Sequence, residues 1–274
     1  PRRADAPPLA ISGWWTARTV ENDRVRRGGA GKQLRDGRIP VTDSELRAIL
    51  TERFAAVEAR IAAACARAGR ARGDVTLVAV TKSVSPRVAG VVAELGVPDL
   101  GESRPQELWK KAAAVPGVRW HLIGHLQRNK LDRTVPLVSL VHSADSVRVL
   151  EALDAFGRKR GSPVPVLLEV NCSREEAKGG FAVGDVPAVG DRAVSLAGVR
   201  VDGLMTMAAY SDDPEAARPA FAELRELRDT LRTATGLPLP HLSMGMSHDF
   251  EVGVEEGATL VRVGTTLFEN LGGE

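Results

Sequence analysis

The chain has 274 residues, 43% of them hydrophobic and 26% charged, the make-up of an ordinary globular protein with room for one large α/β domain or two small ones. Its net charge of +2 is unevenly spread: residues 1–42 hold nine Arg/Lys against four acids, and taking these from the totals of 37 and 35 leaves 28 basic and 31 acidic residues. The basic character therefore describes a tail, and it gives no case for a nucleic-acid-binding domain.

Residues 1–42 are rich in Arg, Pro and Gly, and the longest apolar stretch, Leu9 to Trp15, is broken by Ser12 and Gly13. That is too short for a signal peptide core or a membrane span, and the segment is expected to be a disordered basic extension. Order begins at Thr42-Asp-Ser-Glu45, which has the form of a capping box. Leu46, Leu50, Phe54, Val57 and Ile61 follow at helical spacing, predicting one apolar helix face up to about Ala68. Cys65 and Cys172 lie far apart with no Cys-x-x-Cys spacing or nearby His pair, which argues against zinc and a disulfide framework and suits a reducing cytoplasm.

After Gly73 the period changes. Eight short apolar runs appear: Val75–Thr81, Leu100–Ser103, Trp120–Gly124, Leu140–Ser143, Val166–Asn171, Val201–Met207, His241–Met246 and Leu260–Leu267. Runs without alternation are what strands buried on both faces look like, and helical patterns such as Ser146–Arg160 and Pro214–Arg232 separate them. Eight βα units in about two hundred residues fit a single (β/α)₈ barrel over residues 43–274. An open doubly wound sheet stays possible by strand count alone, but no GxGxxG follows the first strand.

In a parallel barrel, chemistry collects at the C-terminal ends of the strands. The polar residues there are Lys82, Glu102 with Ser103, His121 and His125, His142 and Asp145, Asn171 and Ser173, Thr206, Ser247, and Gly264 with Thr265. A lysine ending a buried strand usually only snorkels to solvent. The last two units change that reading. Ser243-Met-Gly-Met-Ser247 leads into a helix-like stretch with Ser247 as its expected N-cap, and Val261-Arg-Val-Gly-Thr265 adds a glycine and a second hydroxyl. Amides at a helix start and hydroxyls suit a phosphate, although a Gly/Ser turn serving only the chain path has the same composition. With a phosphate cup holding one end of an aldehyde cofactor, Lys82 can hold the carbonyl carbon, provided that burial near other cations lowers its pKa. Glu223, Arg225, Glu226, Arg228 and Asp229 are expected on a solvated helix face. His121, His142 and His248 lie near the expected mouth without metal-ligand spacing.

Val78-Ala-Val-Thr-Lys82, Gly101-Glu102, Trp120-His-Leu-Ile-Gly124, Val141-His-Ser143, Asn171 with Lys178 and Gly180, Gly203-Leu-Met205, Leu242-Ser-Met-Gly-Met-Ser247 and Val261-Arg-Val-Gly-Thr265 together resemble the pyridoxal phosphate homeostasis proteins, in order, from about residue 45 to 269. The resemblance implies an alanine-racemase-like barrel carrying pyridoxal 5′-phosphate (PLP) as a Schiff base on Lys82. It implies that Ser247, Gly264 and Thr265 hold the phosphate beside the Met246 backbone, and that Arg262 faces the pyridine nitrogen. Ser103 stands where the family usually has Asn, so its contact with the ring is the one departure from the pattern.

A guanidinium has donors and no acceptor, so Arg262 disfavours a protonated ring and weakens PLP as an electron sink. The resemblance to racemases of this fold implies that their second base, a tyrosine, comes from a separate C-terminal domain. Tyr210 is the sole tyrosine here and follows the sixth run, and no such domain is expected after the eighth. The expected function is a cytoplasmic, monomeric, non-catalytic or barely catalytic PLP carrier, with PLP-dependent apoenzymes or amino acids as further partners and no nucleic acid or membrane. The alternatives are a racemase using Lys82 and an unidentified second base, and a cofactor-free Schiff-base aldolase.

Overall fold

The computed structural model describes residues 42–271; the expected extension, apart from Thr42, lies outside them. Helix α1 (Asp43–Arg67) starts at the expected capping box, with the Glu45 amide donating to Thr42 Oγ1 (3.3 Å) and the Thr42 amide to the Glu45 carboxylate (2.9 Å). Its apolar stripe of Leu46, Leu50, Phe54, Val57 and Ile61 is buried. Basic side chains flanking that stripe tie α1 to the far end of the chain: Arg53 donates to the carbonyls of Leu267 and Glu269, and Arg60 to the Glu251 carboxylate.

Eight parallel strands form a closed barrel in sequence order. They are β1 (Thr76–Val80), β2 (Asp99–Glu102), β3 (Arg119–Leu122), β4 (Leu140–Ala144), β5 (Val164–Glu169), β6 (Val199–Met205), β7 (His241–Met246) and β8 (Leu260–Val263). Closure is made by β8 pairing back onto β1, with Val78 opposite Arg262. Between the strands run α2 (Pro86–Glu94), α3 (Pro105–Ala114), α4 (Leu131–Thr134), α5 (Val147–Arg160), α6 (Val186–Val194), α7 (Arg218–Thr235), α8 (Phe250–Glu255) and, after β8, α9 (Thr265–Phe268). The helix α1 packs against α8 and α9, covering the closing side of the barrel. Among the described residues no helix is long and apolar enough to cross a membrane.

Each apolar run overlaps one strand, with ends that differ by no more than two residues except in the last run. The run Leu260–Leu267 is strand only to Val263, because the chain turns at Gly264 and residues 265–268 are helical. The charged stretch on α7 is also less solvated than expected. Glu223 pairs with Arg174 at 2.6 Å and Arg225 bonds the Glu256 carboxylate, so these side chains lock neighbouring segments onto the helix.

Candidate functional site

Strand β7 contains one extra residue relative to β8: Ser243 is opposite Leu260, yet Met246 is opposite Arg262. Gly245 makes this bulge possible. Its φ is +91°, and a Cβ there would lie 2.8 Å from Phe250 Cα. The bulge carries the β7 end toward the β8 end, where Ser247 Oγ accepts the Gly264 amide (3.1 Å) and the Thr266 amide (3.3 Å). Thr266 Oγ1 in turn donates to the Ser247 carbonyl. Two backbone donors thus converge on one oxygen at the C-terminal end of the barrel.

Ser247 is not the helix cap that its sequence setting suggests. It sits in the turn before α8, and the cap position falls to Asp249, whose carboxylate accepts the Met246 amide at 2.6 Å. Asp249 makes no side-chain bond to the first turn of α8, and the Ser247 hydroxyl is engaged instead by the amides of the β8 loop. Gly264 sits against the end of β1: a Cβ on it would meet the Val80 carbonyl oxygen at 3.2 Å and Val80 Cβ at 3.3 Å. Val80 is two residues before Lys82, so the donor pair and the lysine belong to adjacent strand ends.

Lys82 lies in the turn between β1 and α2 and is exposed, which corrects the expectation that it is buried. The buried lysine is instead Lys111 on α3. Its ammonium bonds the Glu102 carboxylate and the Thr81 carbonyl (2.6 Å), while Thr81 Oγ1 donates to the same carboxylate oxygen at 2.7 Å. This cluster braces the last residue before Lys82 from the helix side. Ser103 follows β2 and is half-buried, its carbonyl pressed so close to Gly124 that a Cβ there would lie 2.3 Å away. Thr265 is exposed, and it is the neighbouring Thr266 that bonds Ser247.

Arg262 is 4% exposed, donates through Nη2 to the Thr206 carbonyl (2.9 Å) and through Nη1 to Ser243 Oγ, and burial pushes its pKa down to about 10. Across the mouth, Glu169 ends β5 at 7% exposure. Burial, and then the Asp145 charge, raise its pKa to about 7, against pulls from Arg262 and His125. Asp145 accepts or shares a proton with His125 Nδ1 at 2.7 Å, and its other oxygen is buried without a partner among the described residues. Asn171 and Ser173, counted from sequence among the mouth residues, bond one another and the Glu175 carbonyl, so they shape their own loop. Glu169 and Lys111 were missed, although a carboxylate inside the apolar run Leu167-Leu-Glu-Val170 is itself a signal. A cavity of about 230 Å³ between the β6 and β7 loops is lined by Lys178, Tyr210, Met246 and Asp249; it borders the Met246 side of the donor pair and touches neither Lys82 nor Arg262.

The raised pKa of Glu169 has a measurable consequence. Its protonation stabilises the fold fully below the unfolded value near 4.5, and this is lost as pH rises through 7, where the buried carboxylate must ionise. Glu169→Gln should therefore stabilise the cofactor-free protein by about 2–3 kcal/mol more at pH 8 than at pH 5. Urea denaturation at both pH values checks this, and an equal effect at both would show that the carboxyl is not strained.

Residues 54–270 match the model of the alanine racemase N-terminal domain family. A pyridoxal phosphate homeostasis protein of Aquifex aeolicus is 43% identical over 219 residues, covering 79% of this chain and 96% of that protein. The Deinococcus radiodurans protein of the same name is 45% identical over 214 residues, covering 78% and 98%. The chain belongs to the pyridoxal phosphate homeostasis protein family. Among solved structures, PipY of Synechococcus elongatus PCC7942, determined with PLP bound, superposes with a TM-score of 0.70 at 30% identity, covering 80% of this chain and 99% of PipY. The homeostasis family members are named for handling a cofactor, with no reaction in the name.

Proposed function

We propose that this chain binds PLP at the barrel mouth as a Schiff base on Lys82 and serves PLP homeostasis, storing and releasing the cofactor with little or no turnover. The observation that carries the reading is the pair of amides, Gly264 and Thr266, converging on Ser247 Oγ at a glycine packed two residues from Lys82. The donor set fits the cofactor. Backbone donors and the Ser247 hydroxyl suit a phosphate, the exposed Lys82 amine is free to meet an aldehyde, and Arg262 offers only N–H donors to a ring nitrogen. Met246 and Thr265 flank the phosphate side, and Ser103 would contact the ring edge.

PLP, when bound, supplies an aldehyde and an electron-withdrawing ring. The residues around it are arranged to hold more than to catalyse. Arg262 cannot accept a hydrogen bond from a protonated ring nitrogen, and Tyr210 is 83% exposed with its hydroxyl turned to Asp212. A racemase reading has one group in its favour, Glu169, whose pKa near 7 suits proton transfer. Sustained turnover of a free amino acid by the purified protein would support it over the carrier. We infer a monomer whose further partners are apoenzymes or amino acids that accept the cofactor.

Borohydride reduction of the PLP-loaded full-length chain, followed by peptide mass mapping, tests the proposal. The expected result is a single phosphopyridoxyl group on Lys82. A label on Lys111 or Lys178 instead, or none at all, overturns it.

A further inference from the structure

Five buried side chains from five strands form one unbroken hydrogen-bonded chain through the barrel. Asp99 of β2 bonds His121 Nε2 (3.0 Å), His121 Nδ1 meets His142 Nε2 of β4 (2.9 Å), and His142 Nδ1 meets Ser243 Oγ of β7 (2.9 Å). Ser243 Oγ then accepts from Arg262 of β8. Strands β4 and β7 are not neighbours, so the His142–Ser243 contact crosses the barrel interior. The chain therefore runs from the start of β2, where Arg119 also grips Asp99, up to the arginine under the mouth.

The two ends have opposite character, and with neutral rings they are served by one order of the hydrogens between them. Arg262 can only donate, so Ser243 Oγ accepts from it and its own hydrogen is available for His142 Nδ1. His142 is fully buried, and burial followed by the charges of His121, Arg262 and His241 holds its pKa well below the usual imidazole range. A neutral ring accepting at Nδ1 carries its hydrogen on Nε2, which it donates to His121 Nδ1. His121 then carries its hydrogen on Nε2, facing Asp99. At that end burial raises the Asp99 pKa, but the His121 and Arg119 hydrogen bonds outweigh it and keep the carboxyl ionised, able only to accept. The direction that Asp99 requires of neutral rings is one that Ser243 meets while accepting from Arg262. The opposite order with neutral rings would set a bare nitrogen against a carboxylate. Other charged groups nearby are His241, with Asp202 and Arg200 beside it, and Glu169 and Asp249 acting on Arg262.

We propose that Asp99, His121, His142 and Ser243 are positioning residues that fix the rotation of the Arg262 guanidinium, and through it the affinity and absorption of the bound PLP ring. This rests on the carrier reading above for its PLP readout only. Chains of this kind are mutually polarised, so a break far from the mouth is felt at its end.

The remote member His121 gives the test. In the cofactor-free wild-type protein, nitrogen NMR of the rings should show both histidines protonated at Nε2 and bare at Nδ1 at pH 7, with separate resonances for the two Arg262 Nη groups. In His121→Phe those Nη resonances should merge. PLP should bind about tenfold more weakly, the scale of one lost hydrogen bond to a charged group, with a shifted absorption maximum. His121→Gln, which keeps one donor and one acceptor, should restore most of the affinity. A His142 ring protonated at Nδ1, Nη resonances unchanged in His121→Phe, or equal behaviour of the Phe and Gln variants overturns the proposal. If PLP forms no lysine adduct on the wild type, the carrier reading fails, while the cofactor-free spectra still decide whether the chain holds Arg262.

Discussion

Lys82→Ala protein is expected to lose the yellow lysine adduct and to bind PLP roughly a hundredfold more weakly, the scale of losing one of two linked attachment points. The phosphate side should remain, because Ser247 and the Gly264 and Thr266 amides do not depend on the lysine. Stability should hardly move. Lys82 is exposed in a turn, and substitutions at such positions usually stay within about 0.5 kcal/mol. Visible titration with PLP and a melting curve check both halves. An adduct band that survives in Lys82→Ala, or a collapse in melting temperature, would sink the assignment of Lys82 as an exposed tether.

Lys111→Met reverses that pattern. Lys111 and Glu102 are 1% and 0% exposed at the side chain, and removing the ammonium leaves the carboxylate buried beside the Thr81 hydroxyl alone. Glu102 already has one oxygen without a partner among the described residues. Breaking such a pair from one side typically costs about 3–5 kcal/mol, because the remaining charge is uncompensated. The loss should be largely repaired by Lys111→Met with Glu102→Leu, since an apolar pair of similar volume needs no compensation. Equilibrium denaturation of the single and double variants measures this. A single variant that loses under 1 kcal/mol, or a double variant no better than the single, would show that the pair does not brace the β1 end. PLP should still label Lys82 in the folded fraction of Lys111→Met, which separates the structural lysine from the tether.

Much of the barrel is legible in the sequence. Apolar runs such as Val75–Thr81 and Leu140–Ser143 are short and do not alternate, and a strand buried on both faces leaves that local pattern. The same holds for α1, whose capping box and heptad-like stripe are written in neighbouring residues. Boundaries failed where a single residue decides them, as at Gly264, which ends β8 and starts a turn inside an apolar stretch. Motif order also brought Lys82, Ser247, Arg262 and Gly264 to attention together. It could not say that Ser247 yields the cap position to Asp249, or that Thr266 joins it in place of Thr265.

Local pattern alone places Lys82 at the end of the first buried strand of a βα series that ends in a Gly/Ser-rich pair of loops. Its exposure, and the burial of Lys111 nearby, come from long-range packing. Lys82 and Lys111 are chemically identical and lie 29 positions apart; which one stays in water depends on α3 folding back onto β1 and β2, where Glu102 and the Thr81 carbonyl wait for an ammonium. The chain from Asp99 to Arg262 was hidden for the same reason. Its five members are scattered over residues 99 to 262, and only closure of the barrel brings β4 and β7 close enough for His142 to reach Ser243. Local patterns record which face of an element is apolar, whereas a polar contact across a barrel is recorded in no local pattern at all.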